Sequence, residues 1–393
     1  MEQKSILVFG GGKLQESMVR ACLSLGLYTI VLDPNPHSIC SKFASLFTTF
    51  SSNEYDVAKD LVIKYKVSAI ITAATDKPLV IMARIAKEFK LRFFSTESAV
   101  ACTDKFLMKQ YFANNNIPYA RGHKVSSIEQ IDIDFPLILK PRDNSGSRGV
   151  FFCEGKRHFE KYFIETMQFT KMNSVLVEEY IDGKEYSVES LHTGENTKII
   201  QITEKKTTPF PYNVELGHFQ PANLSDELKN EIYNIVKKIA EAFNFIYCAS
   251  HTELKVSSNG IKVIETSPRL GGDFITSELV PLSTGIDIEK CLIRICLGEF
   301  DEDVDCIQNN VSGVEFFELR VGSIQKIGDL TVMKSISGVK EFEFSLKDGD
   351  RIPKITSSID RYGYVIIQAK NRKEYLDILT DVNEVINNNI KVE

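Results

Sequence analysis

No run of this chain approaches the roughly 18 consecutive apolar residues that a membrane helix needs, so a membrane protein is not expected. No block of lysine and arginine offsets the net charge of −6, which argues against general nucleic-acid binding. The eight cysteines stand singly, with no Cys-x-x-Cys and no partnering histidines. Structural zinc is therefore not expected, and free thiols in a reducing cytoplasm are the simplest account. A Gly-x-x-x-x-Gly-Lys-Ser/Thr loop is absent, which excludes a P-loop. Low-complexity tracts, repeats at solenoid periods and any local Ser/His/Asp or Cys/His arrangement are missing as well. Met1 to Gly10 reads as a strand entering a glycine turn and not as a signal peptide. What remains is ordinary for a soluble globular protein of two to four domains: 393 residues, 43% hydrophobic and 25% charged.

The first hundred residues alternate apolar strands with amphipathic helices, the pattern of a parallel α/β sheet. Strands are expected at Ser5 to Phe9, Tyr28 to Leu32 and Ser68 to Thr72, and helices at Lys13 to Leu25, Val57 to Tyr65 and Pro78 to Phe89. From Pro136 the texture becomes α+β: strands at Leu137 to Lys140, Gly149 to Cys153 and Ser174 to Tyr180, with a helix from Arg157 to Met167. Glu185 to Thr203 suggests a hairpin turning at Gly194-Glu195-Asn196, and Asp226 to Phe243 a helix with one apolar face. A helix around Asp287 to Leu297 precedes the acidic run Glu299 to Asp303, which resembles a boundary. Short strands and a helix from Lys373 to Ile386 close the chain. The expected domains are 1–100, 101–184, 185–303 and 304–393.

The most informative feature is a pair of glutamates, Glu253 and Glu265, joined by a predicted hairpin through Ser257-Ser258-Asn259-Gly260. Register decides whether they meet, because side chains alternate faces. An Asn259-Gly260 turn would set Glu253 against Thr266. A loop of Ser258 to Gly260, with Gly260 left-handed, sets it against Glu265, and this is the register expected. Two adjacent carboxylates repel unless a cation or proton lies between them, and with a substrate phosphate they suit Mg²⁺. Arg269-Leu270-Gly271-Gly272-Asp273 follows, an arginine and two glycines suited to an anion lying on exposed backbone. A solvated hairpin edge is the plainer alternative.

Three further segments carry possible chemistry. Gly10-Gly11-Gly12-Lys13-Leu14-Gln15 opens a helix where a dinucleotide fingerprint would sit, with Gln15 in place of the third glycine and Asp33 downstream as a ribose acid. Such a loop could equally bind a small substrate or allow close packing. Lys140 ends a buried strand and precedes a loop of small residues, Ser145-Gly146-Ser147-Arg148-Gly149, able to fold over polyphosphate. Glu178 to Glu185 crosses between strands and exposes backbone groups that could pair with an adenine edge. In isolation each segment also reads as a hairpin, a linker or a solvated lysine.

In this order the glycine turn, Lys105, the Lys140 strand and loop, Glu178 to Glu185 and the Glu253/Glu265/Arg269 constellation resemble the ATP-grasp superfamily. The glycine turn, the Arg269 to Asp273 segment and Arg361-Tyr362-Gly363-Tyr364-Val365-Ile366 resemble its carboxylate–amine ligases of the L-amino-acid ligase type. The resemblance implies a multidomain fold of α/β and α+β parts: a Rossmann-like parallel-sheet domain, a mobile lid, a central antiparallel sheet and a small C-terminal α+β domain, arranged as in biotin carboxylases. It implies ATP and two Mg²⁺ (or Mn²⁺) ions as cofactors. Lys105, Lys140 and the Ser145 to Gly149 loop would hold the phosphates, Glu178 with Glu179, Tyr180 and Ile181 the adenine, and Glu185 the ribose. Glu253, Glu265 and Ser267 would be the metal ligands, with Ser267 standing where the family usually has asparagine. Arg269 would steady the carboxylate, with Glu265 and His251 beside it. Gly11, Gly12, His218, Gly271 and Gly272 would touch the substrates. The implied activity is amide or peptide bond formation through an acyl phosphate, on small-molecule carboxylates and amines, in a cytoplasmic protein without nucleic-acid or membrane partners. Dimers are common among resembling proteins, so the resemblance allows a homodimer, while the sequence itself does not reveal the oligomeric state. A purine-pathway ligase, a bicarbonate-activating carboxylase, a non-catalytic nucleotide-binding regulator and a nicotinamide enzyme remain as rivals.

Overall fold

The computed structural model describes residues 3–194, 196–300 and 306–393. Four parallel strands open the chain, in the spatial order Leu46–Thr48, Tyr28–Leu32, Ser5–Phe9, Val67–Ile71. Every residue of Ser5–Phe9 is buried, because the sheet is covered on both faces. Leu7 and Phe9 join a core with Leu61, Val62, Met82 and Ile85 from the helices Glu54–Tyr65 and Leu79–Phe89. Ile6 and Val8 turn the other way, to Met18, Val19 and Cys22 of the helix Glu16–Ser24. That second face also receives Leu292, Ile293 and Ile295 of the helix Ile288–Leu297, which ties the middle of the chain back to its first sheet. The first expected helix starts as a 3₁₀ turn, Lys13–Gln15, before Glu16–Ser24 continues it.

Helices Thr96–Thr103 and Lys105–Asn114 lead to a four-stranded antiparallel sheet, ordered Gly122–Val125, Val175–Glu179, Leu137–Pro141, Phe151–Cys153. Its core is its own: Leu137, Leu139, Phe151 and Val177 pack against Phe159, Tyr162 and Phe163 of the helix Lys156–Met167. The remainder of the chain builds an eight-stranded antiparallel sheet. Its order is Gly260–Ser267, Cys248–Ser257, Lys184–Thr193, Asn196–Thr207, Glu215–Gln220, Val311–Phe316, Gly363–Ala369, Val339–Phe344. The expected hairpin after Glu185 is present, with Glu195 of its turn outside the described residues. Helix Asp226–Ala242 starts at Ser225, whose hydroxyl accepts from the Leu228 N–H, and buries Ile232, Ile235, Val236 and Ile239 as its apolar face requires.

The acidic run expected to mark a boundary lies partly outside the described residues, at Asp301, Glu302 and Asp303. Beyond it the sheet continues: Val311–Phe316 pairs directly with Glu215–Gln220, so strands of the 304–393 segment extend the sheet that carries the glutamate hairpin. Helix Arg372–Asn389, capped by the Asn371 side chain, covers those strands with Tyr375, Ile378, Val382 and Ile386.

Glu253 and Glu265 are direct cross-strand partners, as expected, but by a different route. Ser257 pairs with Gly260 (φ +97°), so the loop is only Ser258-Asn259, and the register then shifts between Glu253 and Leu254. A bulge at Ile264 restores what the shorter turn would have lost. Next to the bulge the strand's outer edge is held by a segment distant in sequence: Val263 donates its N–H to Pro118 O at 2.8 Å and accepts from the Ala120 N–H at 3.1 Å.

Candidate active site

One cavity of about 820 Å³ lies where the lid sheet, the glutamate hairpin, the N-terminal loops and the C-terminal strands converge. Both carboxylates line it, on one face of the ribbon, with the lysine-tipped strand across from them. Glu265 Oε2 is 3.1 Å from Lys105 Nζ, whose ammonium also donates to Asn144 O at 2.9 Å. Glu253 Oε1 is 3.0 Å from Lys205 Nζ and 3.2 Å from His251 Nε2. Burial would raise the Glu253 carboxyl, yet Lys205 and His251 hold it well below the usual range. His251, on the same strand face as expected, also meets Glu189 at 2.6 Å. Burial opposes its charge, but Glu189 and Glu253 push its pKa up to about 9.

The Lys140 strand end is a buried three-charge cluster. Glu178 Oε1 is 2.7 Å from Lys109 Nζ and 2.8 Å from Lys140 Nζ. The two ammoniums outweigh burial and keep the Glu178 carboxyl below its ordinary value. Burial, helped by Lys140, brings Lys109 down to about 8. A folded pKa below the unfolded one means stability rises with pH between the two. Relative to a Lys109→Gln variant, the wild type should gain up to about 3 kcal/mol as pH climbs from about 8 to 10.5, read by denaturant unfolding. A constant difference across that window would remove the cluster from the pH response.

Ser145, Gly146, Ser147 and Arg148 line the cavity, with Gly146 and Ser147 at φ +69° and +56°. Arg148 folds back on its own loop, donating to Ser145 O and Asn144 Oδ1. Gly149 serves packing instead: a Cβ there would lie 2.7 Å from the Phe169 ring, and the residue does not line the cavity. Glu179, Tyr180 and Ile181 do line it, although the Glu179 N–H is spent on Arg121 O at 2.8 Å. Glu185 accepts from Asn213 Nδ2 at 3.2 Å.

The glycine turn is placed differently from the reading that gave it to substrate. The Gly11 N–H donates to Asp33 at 2.6 Å, and a Cβ there would lie 2.9 Å from Val31. Asp33 is thereby committed to the loop. Gln15, where a fingerprint would have glycine, ties the turn to Ala73 O at 2.7 Å. Lys13 and Leu14 reach the cavity, whereas Gly11 and Gly12 do not line it. Gly272 does; Gly271 sits behind it, where a Cβ would be 2.9 Å from His251 Nδ1. Ser267 also stands back from the cavity, its hydroxyl donating to Asp76 Oδ1 at 2.6 Å. Arg269 lines the cavity and donates to the same Asp76. Burial would raise that carboxyl, but Arg269 and Ser267 take it down to about 2.

Several residues of the site escaped the sequence reading. Lys205, buried, stands 3.0–3.8 Å from Glu253, Glu215 and Glu185, and they raise its pKa well above the ordinary value against the cost of burial. Arg361 grips Asp273 through both terminal nitrogens at 2.7 Å and lies 3.7 Å over the Phe316 ring. His218, which the sequence reading did name, lines the cavity 3.5 Å from Asp273, and its buried Nδ1 has no hydrogen-bond partner among the described residues. Phe152, Tyr180 and Phe210 make an aromatic wall, with Phe152 and Phe210 stacked at 4.2 Å. A Pro-Phe-Pro run at 209–211 was the one local signal for it.

The donor set fits a magnesium–nucleotide complex better than a free metal ion. Among the described residues no group of three or more His, Cys, Asp or Glu could hold a metal. Two carboxylates are offered, each already facing an ammonium. Mg²⁺ commonly takes one or two carboxylates and completes its shell with phosphate oxygens and water.

Residues 133–278 match the ATP-grasp domain family, and residues 315–388 match the family described as L-amino acid ligase C-terminal domain 2. Among curated proteins, the chain is 26% identical to uncharacterized protein y4rH of Sinorhizobium fredii over 77% of its own length and 64% of that protein's. It is 23% identical to the carbamoyl phosphate synthase large chain of Clostridium acetobutylicum over 98% of its length and only 39% of that protein's. The chain thus spans less than two thirds of these curated relatives. The solved L-amino acid ligase from Bacillus licheniformis superposes with a TM-score of 0.85 at 17% identity, covering 100% of this chain and 99% of that one, a likeness of fold. No helix among the described residues is long and apolar enough to cross a membrane. The chain thus carries an ATP-grasp domain followed by an L-amino acid ligase C-terminal domain 2.

Proposed function

We propose that the chain is an ATP-dependent carboxylate–amine ligase that forms an amide or peptide bond through an acyl phosphate, on amino acids or other small carboxylates. One observation carries the reading: Glu253 and Glu265 meet on a single face, in one cavity with Lys105, Lys140 and Arg269. A carboxylate oxygen attacks the γ-phosphorus in line, a new O–P bond forms, and ADP leaves. The amine nitrogen then attacks the acyl carbon, inorganic phosphate departs with the C–O bonding electrons, and the nitrogen gives up a proton. Glu253 and Glu265 would hold Mg²⁺, which supplies neutralisation of the phosphate charge.

The chain's own groups do the rest. Lys105 and Lys140 bind phosphate oxygens, and the Ser145 to Arg148 loop covers them, keeping water from an intermediate that hydrolyses readily. Glu178, the backbone of Tyr180 and Ile181 and the aromatic wall receive the base, with Glu185 toward the ribose. Arg269 and Gly272 meet the acyl group, with His218 and His251 close by. Phe274, Phe316 and Tyr364 also line the cavity, which favours an organic side chain over bicarbonate.

The test is phosphate release from ATP and Mg²⁺ with amino acids offered pairwise, beside arms containing bicarbonate, or glycine with phosphoribosylamine. Release that needs two amino acids supports the proposal. Release only in a bicarbonate or ribosylamine arm replaces it, and a melting temperature that responds to NAD but not ATP ends it.

A further inference from the structure

We propose that Asp76 is a positioning residue for the acyl site, with Ser267 as its anchor, so that the hairpin position expected to carry a third metal ligand orients Arg269 instead. The inference rests on the ligase reading and concerns what this chain does with a hydroxyl at position 267.

Ser267 is buried at the end of the strand Gly260–Ser267, paired with His251. Its hydroxyl proton goes to Asp76 Oδ1 at 2.6 Å, and that oxygen also accepts from Arg269 Nε at 2.8 Å. Asp76 Oδ2 takes Arg269 Nη2 at 3.3 Å, while Nη1 donates to Leu270 O at 3.1 Å. A guanidinium has five N–H groups in a rigid plane. Three are engaged here, which leaves one on each terminal nitrogen for an oxygen of the carboxylate or acyl phosphate. A flexible arginine would lose much of its binding in becoming ordered; one held along an edge has been ordered in advance.

Asp76 belongs to the loop that follows the N-terminal strand Val67–Ile71, and the attachment there is close. Ala73 bridges Leu270, the Ala74 N–H donates to Leu270 O at 3.2 Å, and a Cβ on Gly272 would lie 3.3 Å from that of Ala74. The N-terminal sheet thus sets the position of the arginine beside the hairpin. Glu253 and Glu265 make contacts of their own to Lys205 and Lys105, apart from this clamp.

Electron paramagnetic resonance of Mn²⁺ with a non-hydrolysable ATP analogue, on wild type, Ser267→Ala and Asp76→Asn, tests the assignment. Ser267→Ala is expected to bind as many Mn²⁺ ions as the wild type. Asp76→Asn is expected to raise KM about 10–100-fold for the best amino acid of the pairwise screen, with KM for ATP within about twofold. One Mn²⁺ fewer in Ser267→Ala, or a KM for ATP that rises in step with that for the amino acid in Asp76→Asn, overturns the proposal. A wild type that binds no Mn²⁺–nucleotide removes the ligase reading first, and this inference with it.

Discussion

Glu265→Gln is expected to lower ATP-dependent phosphate release by about 10³-fold or more, some 4 kcal/mol of barrier, while leaving the melting curve nearly unchanged. The amide keeps the shape and the strand pairing with Glu253. It removes the charge that faces Lys105 at 3.1 Å and that would otherwise face Mg²⁺. The Glu265 side chain keeps 27% of its surface in water, and Lys105 retains Asn144 O as an acceptor at 2.9 Å, so the fold should tolerate the loss of this charge. Turnover and stability should therefore separate. A variant that released phosphate at the wild-type rate with the true substrates would show that the metal site lies elsewhere.

Lys205→Met is expected to fail in the opposite way, through the fold. The ammonium is 2% exposed and holds Glu253, Glu185 and Glu215 within 4 Å of one point. Methionine fills the volume but removes the charge that three carboxylates share, leaving only His251 beside Glu253 and Lys255 at 3.9 Å from Glu185, a loss on the order of 3–5 kcal/mol. Chemical denaturation should show this directly. With Glu253 as the proposed magnesium ligand, ADP with Mg²⁺ would bring positive charge back to it, so the ligand should raise the melting temperature of Lys205→Met more than that of the wild type. Equal ligand shifts, or an unchanged stability, would mean that Lys205 is no counter-ion.

Much of the frame was legible because it is written locally. Apolar strands at Ser5 and Tyr28, the apolar face of Asp226–Ala242 and the turn before Gly260 all report short-range physics, and the structure has them where they were expected. Lys140 was legible only in part: a lysine closing an apolar strand must find a partner, expected to be a phosphate, and the one it has here is Glu178, which had been assigned to the adenine. The register of the glutamate hairpin was right for an incomplete reason. The turn alone would have misaligned it, and the correcting bulge sits beside bonds to the 118–120 segment, far away in sequence. Distance also hid Asp76 from Arg269, 193 positions on, and Arg361 from Asp273, 88 positions back. Lys205 lies just past the expected hairpin and carries no local signal, since only the fold gathers its three glutamates. Gly11 and Ser267 were read as ligand-facing where packing and a buried carboxylate had already claimed them.

The eight-stranded sheet carries one more implication. Its ladder runs without a break from the glutamate hairpin into Val311–Phe316, Gly363–Ala369 and Val339–Phe344, so the C-terminal strands act as the sheet's cover as well as a wall of the cavity. A protein ending at residue 300 would present the bare N–H and C=O row of Glu215–Gln220 to solvent, the kind of open margin on which chains self-associate. The same three strands thus close the sheet's margin and wall the cavity.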